Sequence, residues 1–260
     1  MSAVDIADAS GVRLITFNRP DVRNAFDFSL YRAVTGALTD AAADDAVRAV
    51  VVTGAGGSFS SGQDLDEMAA IAAGQGPPGV ETGFRGLLDA VAACPQPLLA
   101  AVAGPAVGLG FTLLAHCDLV LVGDSARFRV PFAELGVPAE AASSYLFPLR
   151  MGWQQAARVL LTGDWVSASE AVNLGMALQV CADDRVVEET LNLARRVAAL
   201  PPQAVRAIKR LMWDAHADAV TAARAREDDA FRHALARMAA GGNGGSAGLG
   251  GAVAPASGPG

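Results

Sequence analysis

The chain has 260 residues, 52% of them apolar, with a formal net charge of −7 and a pI of about 4.9. That length supports one large domain or a domain with an appendage, and the acidic balance argues against nucleic acid, whose phosphates require a basic face. No apolar run approaches the roughly 18 residues of a membrane span, the opening Met1-Ser2-Ala3 carries no secretory signal pattern, and Cys94, Cys117 and Cys181 form no close pair, so a cytoplasmic protein without a membrane partner, disulfide or metal centre is expected.

In chain order, residues 12–17 read as a strand, followed by a turn at Asn18-Arg19-Pro20, and Ser29 can cap a helix running to about residue 40. Residues 48–53 form a continuous β-branched strand that ends in a glycine turn at Gly54 to Gly57. Two further buried strands, 97–103 and 118–122, flank a short helix over 109–116. This interleaving predicts an α/β fold with parallel pairing. After Trp153 the pattern becomes helical, over 154–161, 167–174, 184–200, 203–215 and 219–238, with Ser167 and Ser169 at capping positions and Pro201-Pro202 as a separator. The expected division is an α/β core over 1–152, a helical region for subunit association over 153–240, and a tail over 241–260. That tail is uncharged and rich in Gly, Ala, Ser and Pro, so it buries too little apolar surface to order itself. No internal repeat is visible.

Several motifs can be weighed. The strand-to-glycine stretch at Gly54-Ala55-Gly56-Gly57 begins like a dinucleotide fingerprint, but Phe59 stands at the third glycine position, and Leu113 does so after Gly108-Leu109-Gly110. No P-loop Lys-Ser/Thr follows either turn. The three histidines lack a nucleophile elbow; His216 and His233 read as surface residues, and His116 as a packed core residue. More telling are two glycine turns about fifty residues apart, Ser58 to Leu65 and Ala103 to Gly110, each placed between a strand and a helix. Helix N-termini carry unpaired N–H groups, and two of them facing one cavity could grip a single oxygen as an oxyanion hole does.

On these residues the chain resembles the enoyl-CoA hydratase/isomerase (crotonase) superfamily from about residue 10 to 235. Asn18 to Asp27 is similar to the family's opening signature, Gly56 to Leu65 to its first oxyanion loop, and Ala101 to Asp118 to its second. The stretch Leu160-Leu161-Thr162-Gly163-Asp164, with Ser167 to Gly175, matches a further segment. The resemblance implies a spiral of ββα units with a helical C-terminal region, assembled as a homotrimer or hexamer. It implies that the backbone N–H groups of Gln63 and Leu109 hold a thioester oxygen, with the Leu109 side chain narrowing the acyl pocket. Ser61, Asp64 and Leu65 would line the path of an acyl-CoA, beside Arg23 and Ala25 of the opening signature, with Arg23 near the phosphates. CoA enters as part of the substrate, and no resident cofactor is expected.

The carboxylates separate the family's chemistries. The two glutamate positions of hydratases hold Thr112 and Phe132, neither of which is a base. The segment from Val130 to Ser144 is similar to Δ3,Δ2-enoyl-CoA isomerases, in which a single acidic residue stands where Glu140 stands here. Glu140 is flanked by Ala139, Ala141 and Ala142 with no neighbouring cation, a setting that raises a carboxyl pKa. Glu134 reads as a solvated residue. The expectation is an isomerase with Glu140 as its base; hydration is the runner-up, and acyl-CoA binding without chemistry the third reading.

Overall fold

The computed structural model describes residues 2–72, 75, 76, 79 and 82–240. The tail 241–260 lies outside the described residues. A six-stranded sheet has the order β1-β2-β3-β4-β6-β9, built from β1 (Val4–Ala9), β2 (Val12–Phe17), β3 (Ala49–Gly54), β4 (Leu98–Val102), β6 (Leu119–Gly123) and β9 (Gln179–Cys181). All its pairings are parallel except β1 with β2. Strands β3 and β4 read as unbroken apolar runs because both faces are covered. On one face Val50 and Val52 pack with α1 (Phe28–Ala43) and α3 (Gly83–Ala93). On the other, Val51 joins Val12, Leu99 and Leu121 against α8 (Val186–Ala198). The edge strand β1, exposed after Val4, carries Asp5 and Asp8, which discourage edge pairing.

A three-stranded second sheet holds β5 (Pro105–Val107), β7 (Arg127–Arg129) and β8 (Val166–Ser167). Its presence exposes a repeat hidden in the sequence. β4 leads into β5 and then α4 (Leu109–Thr112), and β6 leads into β7 and then α5 (Ser143–Met151). β3 is followed by two isolated bridges, Ser60 to Ala106 and Gln63 to Phe26, and then α2 (Leu65–Ala72). Each turn of the chain is thus a ββα unit. Gly104, at φ +67°, makes the step from β4 to β5; a Cβ there would lie 2.0 Å from the Gly57 carbonyl oxygen.

Several elements differ from the sequence reading. The sequence reading lacks β1, α3, α5 and the small sheet, although Phe84, Leu87, Leu88 and Val91 give α3 an apolar stripe of helical spacing. α1 starts two residues earlier than a Ser29 cap implies, capped by Asp27, whose Oδ1 accepts from the Leu30 N–H at 2.8 Å; Ser29 instead donates to Asp27. Of the two serines, Ser167 caps α7 (Ala168–Asn173) in a capping box with Glu170. β8 and β9, both beyond residue 152, pair into the two sheets, so the helical region shares strands with the α/β part. The remaining helices are α6 (Trp153–Thr162), α9 (Pro202–Asp214) and α10 (Ala217–Ala240). α9 is pinned to the sheet by Asp118, which pairs with Lys209 at 2.8 Å and accepts from the Leu98 N–H at 2.7 Å. No helix among the described residues is long and apolar enough to cross a membrane.

Candidate active site

The first glycine loop is held by Asn24, a fully buried side chain in the left-handed region at φ +55°. Its Nδ2 donates to the carbonyls of Ala55 (2.9 Å) and Ser58 (2.8 Å), while Oδ1 accepts from the Arg19 N–H. Ser60, also buried, donates from Oγ to the Asn24 carbonyl, and its own carbonyl accepts from the Val107 N–H at 2.9 Å, which joins the two loops. Their contact requires glycine. Gly62 sits at φ +92°, and a Cβ there would lie 2.8 Å from the Val107 oxygen and 3.5 Å from the Leu109 nitrogen.

The loop junction leaves two donors open. The Gly62 carbonyl accepts from Phe26 N–H and the Asp64 N–H donates to Phe26, but the Gln63 N–H between them has no acceptor among the described residues. The Leu109 N–H, first in α4, has none either; its neighbour Gly108 donates to Arg129. Two free backbone N–H groups on touching loops can polarise one oxygen. The Leu109 side chain is fully buried in the main core, and it does not narrow the cavity as expected.

The other predicted residues gather around this junction. The Arg23 carbonyl accepts from the Ser61 N–H at 2.9 Å, and Ser61 Oγ donates to the Val22 carbonyl. Asp64 is ion-paired with Arg19 at 3.2 Å, and Arg19 also reaches Asp27 at 3.1 Å and the Ala25 carbonyl. Arg23 is exposed, Ala25 buried, and Leu65, which opens α2, exposed. Arg19 is thus the organising cation, a role its place in the signature did not disclose.

Glu140 and Gln63 line a cavity of about 190 Å³, together with Phe84, Leu88, Phe231 and Glu227. Glu140 is half-buried. Burial, reinforced by the charge of Glu227, pushes its carboxyl from 4.5 up to about 8. Two arginines reach the same cavity, but both are engaged: Arg85 with Asp228 at 2.9 Å and Arg224 with Asp89 at 2.8 Å. Behind it, the Tyr31 hydroxyl is buried and unbonded among the described residues; burial first, then the Glu140 charge, holds its phenol well above 10. Neither Tyr31 nor Glu227 carries a sequence signal of its own, because each reaches the site from a distant helix.

The remaining expectations resolve simply. Thr112 and Phe132, neither of which carries a carboxyl, are both buried. Glu134 is exposed and ion-paired with Arg129. His116 is a core residue: burial lowers its pKa to about 4, and its ring stacks on Trp213 at 6.1 Å. His233 is exposed, but His216 is half-buried and bonds Tyr145 Oη at 2.8 Å, contrary to a plain surface placement. A larger space of about 490 Å³, between the end of α3 and α9, contains none of the predicted site residues.

Comparison with known proteins gives a consistent result. A family model described as enoyl-CoA hydratase/isomerase matches residues 7–242. The chain is 37% identical over 209 residues to enoyl-CoA delta isomerase 2 of Rattus norvegicus, covering 80% of this chain but 53% of that protein. It therefore spans about half the length of that relative. It is 32% identical over 233 residues to the 2,3-dehydroadipyl-CoA hydratase of Escherichia coli K12, covering 89% of each. An enoyl-CoA hydratase/isomerase from Pseudoalteromonas atlantica T6c superposes with a TM-score of 0.85 at 37% identity, over 90% of this chain and 92% of that one.

Proposed function

Because the chain belongs to the enoyl-CoA hydratase/isomerase family, we propose that it is an acyl-CoA isomerase that moves a 3-enoyl double bond to the 2-position. The observation that carries this reading is Glu140, which lines one cavity with Gln63 and whose carboxyl is engaged by no hydrogen bond or ion pair among the described residues, whereas Glu227 is held by backbone donors and Asp228 by Arg85, and Thr112 and Phe132 fill the hydratase positions. The substrate thioester oxygen accepts from the Gln63 and Leu109 N–H groups. Ionised Glu140 takes a proton from C2; the electron pair of that C–H bond moves into the C1–C2 bond and charge builds on the oxygen. The same carboxyl returns its proton to C4, the C3–C4 double bond becomes C2–C3, and Glu140 is left as it began. Each oxyanion donor contributes roughly 3–4 kcal/mol to such a step. Arg23, Ala25, Ser61, Asp64 and Leu65 line the CoA path, Asp64 through the loop that its pair with Arg19 fixes.

One observation favours hydration as a second reading: Glu227 brings another carboxylate to the cavity. Both of its oxygens are occupied by backbone donors, which leaves it badly placed to activate water. Incubating the protein with 3-enoyl-CoA and with 2-enoyl-CoA, and following ultraviolet absorbance of the conjugated thioester, separates the two. Gain of absorbance from the 3-enoyl ester supports isomerisation. Faster loss from the 2-enoyl ester moves the assignment to hydration.

The helical region exposes Trp153 (75%), Leu161 (73%), Leu211 and Met212, more apolar surface than a lone subunit needs to present. This supports a homotrimer or a hexamer of the chain. Light scattering at micromolar concentration is expected to give a multiple of three subunits, and a stable monomer contradicts it.

A further inference from the structure

Glu140 sits just before two residues with unfavourable backbone angles. Ala141 (φ +56°) and Ala142 (φ +57°) are both left-handed, a region that alanine avoids because its Cβ crowds the carbonyl. Such a turn persists only where surrounding groups over-determine it. Ala142 also stands at the cap position of α5, where its side chain offers no acceptor.

Glu227 supplies both missing functions from α10. Its Oε2 accepts from the Ala142 N–H at 2.7 Å and its Oε1 from the Ser144 N–H at 2.9 Å, with the residue only 6% exposed. On the other side of the turn, the His116 ring bonds the Ala141 carbonyl through Nε2 at 2.7 Å, and the Ser143 N–H donates to the Glu140 carbonyl at 2.9 Å. The turn is therefore gripped at successive peptide groups. Glu227 belongs to the same cavity lining as Glu140.

We propose that Glu227 is a positioning residue for Glu140: it fixes the turn that carries Glu140 at the cavity wall and sets a second negative charge in that cavity. The inference rests on Glu140 being the proton carrier. The facing groups are compatible with it. From α3 comes Arg85, held by Asp228 of α10; Arg224 of α10 is held by Asp89 of α3. From α1 comes the neutral Tyr31 phenol, and beneath the turn the neutral His116. Arg226 pulls the Glu227 carboxyl down weakly, against a larger upward push from burial. Among the described residues no cation forms an ion pair with Glu140 or Glu227, and the charge of Glu227 stands second only to burial in raising the Glu140 carboxyl.

The test is the pH profile of 3-enoyl-CoA isomerisation by the full chain, for native protein, Glu227→Gln, Glu227→Asp and Glu140→Gln. Glu227→Gln keeps one acceptor oxygen and loses the charge. Its acid limb is expected to move about one pH unit lower, and its plateau kcat to fall by roughly 10²-fold as the turn loosens. Glu227→Asp keeps the charge but is too short to span both N–H groups. Its limb is expected at the native pH with a reduced kcat, and it serves alone if the Gln variant does not fold. A merely structural Glu227 would change the folded fraction and leave the limb of the folded enzyme in place. An unmoved limb in Glu227→Gln with kcat within about twofold of native, or a native kcat in Glu227→Asp, overturns the inference. Near-native turnover by Glu140→Gln instead removes Glu140 as the base, whichever way Glu227 behaves.

Discussion

Replacing Glu140 by Gln probes the reaction centre through stability as well as rate. Gln keeps the shape of the protonated acid and cannot ionise. In the native protein burial, with Glu227 second, carries the Glu140 carboxyl from 4.5 to about 8. The fold therefore prefers the neutral form, at a cost of about 5 kcal/mol at most once the pH exceeds 8. That figure is an upper bound, since the residue is only half-buried and solvent screens its charge. The sign follows from linkage: a carboxyl whose folded value is raised contributes stability that is full below 4.5 and lost as the pH climbs to about 8. Glu140→Gln should match native stability near the lower limit and exceed it increasingly above, by up to about 3 kcal/mol at pH 7, in urea denaturation followed by circular dichroism. Turnover runs the other way. Native kcat/KM should rise roughly tenfold per pH unit and level above about pH 8, because only the ionised form removes the C2 proton. The variant should lose roughly 10²–10⁴-fold in turnover along with that limb. A stability difference that does not change with pH, combined with near-native turnover, would refute the reasoning.

Leu109→Pro removes one candidate oxyanion donor at the first position of α4, where proline is tolerated; kcat of the folded protein should fall by about 10²–10³-fold, more than in Leu109→Ala, which makes a comparable loss of buried side chain but keeps the N–H. An unchanged kcat would take the Leu109 N–H out of the site. Gly62→Ala sets a Cβ 2.8 Å from the Val107 oxygen at φ +92°, so thermal denaturation should show a loss of more than about 1 kcal/mol, whereas a neutral effect would mean the two loops part easily. Tyr31→Phe deletes a buried hydroxyl that meets no hydrogen-bond geometry among the described residues and should leave stability unchanged or raise it by about 1 kcal/mol; a clear loss would show that the nearby Gln63 side chain bonds that hydroxyl.

Much of the molecule was legible in the chain because its signals are local. The β-branched run of β3 and the apolar β4 could be little other than buried parallel strands, and the amphipathic helices α6, α8 and α9 announced themselves by period. The two glycine loops were legible for a steric reason, since Gly62 and Gly104 occupy positions where a Cβ would meet a carbonyl oxygen. Short strands were not. β5 and β7 have three residues each and β8 has two, so they owe their form to hydrogen bonds with one another rather than to any pattern in their own sequence.

The sequence by itself determined which groups are on offer: a carboxyl at Glu140 with no cation near it in the chain, Thr112 and Phe132 without carboxyls, and two loops whose glycines permit close backbone approach. Tertiary structure alone decided how those residues are held. Arg19 reaches Asp64 across 45 residues, Tyr31 arrives from α1, and Glu227 caps a turn 85 residues before it. Local propensity has no access to such separations. The strained turn at Ala141 and Ala142 would look like an error of the sequence until Glu227 is placed beside it, because the cost is local and the compensation comes from another helix.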